Sequence, residues 1–170
     1  GVEANIMDFK GNLDVDENVL KRLDYVIASL HTICIEPGSL DENMNAYFGA
    51  MSNPYVKIIG HPDDGRYPID HDALAKEAAK RGIVLELNNS SLNPRSARVG
   101  GRENAAKMLL AAKKYGTYVV CNTDSHYADY VGDFGNCDDL LNESAFPKEL
   151  ILNNSMEKLK LILNKDIEDL

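Results

Sequence analysis

The sequence predicts an α/β fold built on a largely parallel sheet. Three observations carry this. Five short, nearly continuous apolar runs recur along the chain, as expected of parallel strands covered on both faces. Amphipathic segments of helical period separate them. The strand–helix alternation continues without a linker, a low-complexity segment or a visible boundary, so one domain of 170 residues is expected.

The predicted strands are GVEANI (residues 1–6), DYVIASL (24–30), VKIIG (56–60), IVLELN (83–88) and TYVVCN (117–122). The first predicted helix, DENMNAYFGAM (41–51), opens on acids suited to the positive end of a helix dipole. The second, DHDALAKEAAKRG (70–82), is capped by Asp70, places Leu74 and Ala78 on one face and stops at Gly82. The third, RENAAKMLLAAKKYG (102–116), aligns Ala105, Met108, Leu109 and Ala112 and stops at Gly116. The last, SMEKLKLILNK (155–165), takes Ser155 as its N-cap.

The net charge of −9 leaves no basic surplus to displace counterions, which makes nucleic acid an unfavourable partner. An anionic ligand would need local cations, either arginines or bound metals. No apolar run reaches the length of a membrane span, about 18 residues. No export leader is visible, although GVEANI reads as a strand without an initiator methionine, as a processed or truncated beginning would. Cys34, Cys121 and Cys137 have no CxxC spacing and read as reduced thiols of a cytoplasmic protein.

The ionisable residues are not scattered. Glu3 lies in the first predicted strand, His31 and His61 follow the second and third, and Asp124 and His126 follow the fifth. The fourth ends on Asn88, Asn89 and Ser90. In parallel α/β folds the carboxyl ends of the strands share one face, where catalytic groups gather. Each residue alone has an ordinary reading: a hydrogen-bonded histidine, an edge glutamate, an aspartate cap. Five such groups at corresponding strand ends point instead to a shared site. Imidazole and carboxylate ligands without clustered thiols suit Zn²⁺, Mn²⁺ or Fe²⁺. A nucleophilic serine fits less well, because no G-x-S-x-G turn is present and Ser125 falls between two candidate ligands.

The loop NNSSLNPRSARVGGRENA adds Arg95, Arg98 and Arg102. Arginine is suited to bidentate phosphate contact, so one of the three is expected to touch substrate. In HPDDGRYPIDHD, Pro62 is expected to hold His61 extended and to aim it. Asp63, Asp64 and Gly65 read as a turn, and His71 as a surface residue.

Taken in order, GVEANI, DYVIASLH, KIIGHPDDGRYPID, LELNNSS and CNTDSHYADYVGDF resemble the PHP (polymerase and histidinol phosphatase) metallohydrolases. The likeness is greatest to the bacterial phosphatase branch of the trinuclear-zinc YcdX type. The resemblance implies a distorted TIM-like (β/α)7 barrel with metals at the strand carboxyl ends. It implies Glu3 as a bridging carboxylate, His31 and His61 as imidazoles sharing one metal with it, Asp124 on a second metal and His126 on a third. Asp124 or a metal-bound water would also take part in the proton chemistry. Up to three ions, zinc first and manganese or iron as alternatives, would activate a hydroxide against a small phosphomonoester.

The family's opening H-x-H strand is absent from this sequence. The resemblance therefore implies that residues 1–170 are the C-terminal part of one PHP barrel, with an open edge that self-associates or pairs with the missing N-terminal segment. Three readings stay open here: a phosphomonoesterase, a phosphodiesterase or nuclease-like hydrolase, and a metal-binding fragment without turnover.

Overall fold

The structure is a computed structural model that describes residues 1–163. Five parallel strands form one sheet in the order β1-β2-β3-β4-β5: β1 Val2–Asn5, β2 Val26–Ser29, β3 Val56–Ile59, β4 Val84–Asn88 and β5 Val119–Asn122. All five predicted strands are present, each trimmed by one or two residues at its ends. Because the order never reverses, right-handed crossovers put every connecting helix on the same side. That is the winding of a barrel, not of a doubly wound sheet.

The crossovers carry α1 (Glu17–Leu20), α2 (Leu40–Ala50), α3 (His71–Arg81) and α4 (Gly101–Tyr115). After β5 come α5 (Gly135–Glu143) and α6 (Met156–Leu159). The short α1 and α5 were not predicted; GNCDDLLNE offers Gly, Asn and Asp, which are weak helix formers. Asp70 caps α3 through the Asp72 and Ala73 amides, and Gly82 ends it in the left-handed region at φ 68°. α2 starts one residue earlier than expected because Ser39 and Glu42 form a capping box. Ser155 stands at the N-cap of α6, but its hydroxyl makes no capping bond. The end of the predicted last helix lies outside the described residues. Among the described residues no helix is long and apolar enough to cross a membrane.

Strand register separates two faces. Ala4, Ala28, Ile59, Leu85, Leu87 and Cys121 join the main core beneath the helices. The alternate positions Ile27, Ile58, Val84 and Val120 face the other way, where Leu152 and Ile162 cover them. Further along the strands this second face turns polar. Glu3 and Asn5, Ser29, Glu86 and Asn88, and Asn122 occupy its carboxyl-end positions. The inner face is thus an apolar floor with a hydrogen-bonding rim. β4 is buried throughout, whereas β1 lies at the sheet edge with Glu3 exposed, so coverage on both faces does not extend to it.

Candidate metal centre

Glu3, His31 and His61 come from three successive strands and converge. Glu3 Oε1 lies 3.1 Å from His61 Nε2 and 3.5 Å from His31 Nε2, and the two Nε2 atoms are 3.1 Å apart. An ideal tetrahedral Zn²⁺ site with bonds of about 2.0–2.1 Å has ligand atoms roughly 3.3 Å apart. The three atoms therefore stand at the separations one such ion requires.

Their surroundings hold them there. The Ser29 hydroxyl donates to Glu3 Oε1 at 2.7 Å. His31 Nδ1 lies 2.7 Å from the Asn5 amide oxygen, which fixes the hydrogen on Nδ1 and leaves Nε2 as the free lone pair. The His61 hydrogen bond holds the Glu3 carboxyl down at about 2 against the opposing effect of burial. Burial, then the neighbouring His61, lowers the pKa of His31. An ionised carboxylate and a neutral imidazole are the forms that bind metals. Donor chemistry and spacing both fit a borderline divalent cation.

His61 is not extended. It follows β3 with φ 26°, an uncommon value for a residue with a side chain, and Pro62 does not hold it in the extended region. What aims it is Glu86, whose Oε2 accepts the His61 backbone N–H at 2.6 Å. Asp124, at φ 48°, is a second candidate residue in the left-handed region. Such conformations persist only where the surroundings over-determine them.

Glu86 was missed because it sits within an apolar run, yet the alternation in LEL is a signal that it points away from the core. It is buried, accepting from His61 N, from Asn88 Nδ2 at 3.3 Å and from Asn122 Nδ2 at 2.7 Å. Asn88 Nδ2 continues the network to Asp124 Oδ2 at 3.1 Å. Arg98 Nη2 reaches the same oxygen at 3.0 Å, and its Nη1 contacts Ser91 Oγ at 3.1 Å. Asp124 and Arg98 therefore stand at the rim beside the three converging residues.

The other candidates are placed differently. His126 is 79% exposed, with Nδ1 3.0 Å from the Asp124 carbonyl oxygen. Among the described residues it joins no cluster of metal-ligating atoms, and neither does Asp124. Arg102 pairs with Glu143 at 2.7 Å, and Arg95 is exposed, its backbone N–H bonded to Asn93. The acids after His61 form the expected turn but are buried. Burial pushes the Asp63 carboxyl up to about 6, opposed by the Ser91 hydroxyl, while Asp64 pairs with Arg66. His71 is half-buried, not a surface residue: α4 packs over it, bringing Asn104 and Lys107 close.

The chain is 42% identical to a probable phosphatase of Clostridium novyi over 94% of this chain and 64% of that protein. It is 41% identical to one of Clostridium botulinum over 97% and 67%, and 41% identical to one of Caldicellulosiruptor bescii over 99% and 70%. It thus spans about two thirds of the length of these curated relatives. No family model matches it. The histidinol phosphate phosphatase of Lactococcus lactis, solved with zinc, L-histidinol and phosphate, superimposes with a TM-score of 0.54 at 16% identity. That match covers 78% of this chain and 64% of the other, and is a likeness of fold.

Proposed function

The chain belongs to the family of these bacterial probable phosphatases, and on that premise we propose that it is the greater part of a metal-dependent hydrolase of small phosphomonoesters. One observation carries the reading: Glu3 Oε1, His31 Nε2 and His61 Nε2 lie within bonding reach of a single cation. Zinc suits this donor set best, with Mn²⁺ and Fe²⁺ as alternatives. When bound, such an ion supplies charge to a phosphoryl oxygen and acidity to a water.

Glu3, His31 and His61 hold that ion. Asp124 and His126 contribute to two further sites, completed from the third of the relatives' length that this chain does not span. That assignment makes residues 1–170 the C-terminal part of one PHP barrel of the YcdX type. Arg98, fixed by Ser91 and Asp124, offers its guanidinium to a phosphate at the rim. In the hydrolysis, the oxygen of water bonds to phosphorus, the ester P–O bond breaks, and the leaving alkoxide takes up a proton. We assign the passing of that proton to Asp124. Arg95, exposed on the same loop, and Arg102, in the first turn of α4, act on the approach of the anion.

The acidic chain does not attract long polyanions by itself, which favours a small ester over nucleic acid. The test is hydrolysis of p-nitrophenyl phosphate by the full-length protein, before and after chelation and on return of Zn²⁺ or Mn²⁺. Activity that survives complete metal removal would refute the reading.

A further inference from the structure

Asp124 and His126 stand in the wall of a cavity of about 340 Å³ that Glu3, His31 and His61 do not line. Its walls come from three places: the loop after β4, the loop after β5 and the start of α5. At this size it lies near the lower end of the range for small-ligand sites, roughly 300–1,000 Å³.

The lining is mostly neutral and hydrogen-bonding. Asn93 and Asn136 supply amides, and Asp133 supplies one carboxylate besides Asp124. Asn93 Oδ1 accepts from Arg95 N, Asp133 Oδ1 accepts from Gly135 N, and Asn136 Nδ2 donates to Asn89 O. Each residue spends one polar atom on the fold. Asn93 Nδ2, Asp133 Oδ2 and Asn136 Oδ1 are left as one donor and two acceptors for a ligand. Tyr127 and Tyr130 flank them with ring centroids 6.4 Å apart at 75°, and both are largely exposed. Among the described residues no lysine or arginine lines the cavity. Arg98 is bound to Asp124 on its wall, a cation for one phosphate group where the cavity meets the rim.

We infer that this cavity holds the leaving group of the substrate, and that the leaving group is neutral, polyhydroxylated and of about monosaccharide size. The inference rests on the phosphatase reading for where the phosphate sits. Paired donors and acceptors suit successive hydroxyls, and tyrosine rings suit the C–H faces between them. Past Asp124 and His126, a second phosphate would meet the Asp133 carboxylate with no lysine or arginine in the lining to offset it.

Equilibrium titration of the zinc-loaded, full-length protein tests this independently of turnover. The ligands are inorganic phosphate, a hexose monophosphate, a hexose bisphosphate and a phosphorylated amino alcohol. The hexose monophosphate is expected to bind about tenfold more tightly than the other three. Asp133→Asn, which keeps the acceptor to Gly135, and Asn93→Ala are each expected to weaken it by about fivefold or more, and by more than they weaken inorganic phosphate. Equal affinity for inorganic phosphate and the hexose monophosphate overturns the inference. So does preference for the bisphosphate or the amino alcohol, or indifference to both variants. Failure to hydrolyse p-nitrophenyl phosphate would sink the phosphatase reading and the word leaving group with it, whereas loss of the hexose preference with hydrolysis intact would sink this inference alone.

Discussion

His31 Nε2 and His61 Nε2 stand 3.1 Å apart, and both face Oε1 of Glu3. Two imidazole nitrogens at that distance cannot both carry hydrogens. The Asn5 contact places the hydrogen of His31 on Nδ1, so at least one Nε2 presents a lone pair toward the shared point. Lone pairs and a carboxylate aimed at one point are an arrangement that a cation stabilises.

Replacing His61 with alanine is expected to lower metal affinity in the full-length protein by more than about tenfold, since even supporting partners of a metal ligand cost 10–100-fold. His71→Ala, remote from the three converging atoms, is expected to retain metal. Elemental analysis after dialysis against a weak chelator decides the matter. Equal loss in both variants would mean that the sorting of the histidines is wrong.

Arg98→Ala is expected to raise KM for a small phosphomonoester by about tenfold while metal content stays within error. Its guanidinium contacts Asp124 and Ser91 but none of the three converging residues. Steady-state kinetics beside metal analysis separate the effects, and an unchanged KM counts against a substrate contact.

Gly60 has no room for a side chain. A Cβ there would stand 2.0 Å from Ser29 Oγ, the hydroxyl that donates to Glu3, and 3.0 Å from Ile27 Cγ2. Gly60→Ala is expected to cost about 1–3 kcal/mol of stability and to weaken metal binding through the displaced Ser29. Ser29→Ala in the same chain removes the closest clash and should recover part of the stability but not the affinity. Urea midpoints and metal titration report the two quantities.

Burial raises the Asp64 carboxyl, but the hydrogen bonds and charge of Arg66, with the Val99 amide, together outweigh it and hold the group below the ordinary value of 3.8. A carboxylate with a depressed folded pKa stabilises above its unfolded pKa, and the contribution is lost as pH falls through the folded value. Asp64→Asn is therefore expected to destabilise by about 1–3 kcal/mol at pH 7, Arg66 being partly solvated. The difference from wild type should shrink as pH falls below 3.8 in thermal melts. A difference that is constant with pH would show that the pair contributes no linked proton.

Leu152, fully buried, covers the inner floor against Ile58, Val84 and Val120. Leu152→Ala is expected to cost about 2–5 kcal/mol. A loss under about 1 kcal/mol would mean that this segment does not close the sheet.

The strands and the longer helices were legible because their patterns are local. An apolar run bounded by Gly or Asn, or a helix between Asp70 and Gly82, can be read from neighbours in sequence. α5 was not, because its first turns are made of Gly, Asn, Cys and Asp, which are weak helix formers, and its position depends on Cys137 N bonding to Asn89 Oδ1, 48 residues away. The site was half legible. Which residues stand at strand ends follows from the pattern, and so does their chemistry.

Glu86 was hidden in a run that read as apolar, and turn composition says nothing of the burial of Asp63 and Asp64. The sequence by itself determined the α/β class, the winding units and the rim on which Glu3, His31, His61 and Asp124 stand. The tertiary structure alone decided which of them meet, that Glu86 and not Pro62 aims His61, and that His126 faces solvent. Periodicity assigns a side chain to a face of its own strand. Distances between strands are fixed only by register and by hydrogen bonds between residues far apart in the chain.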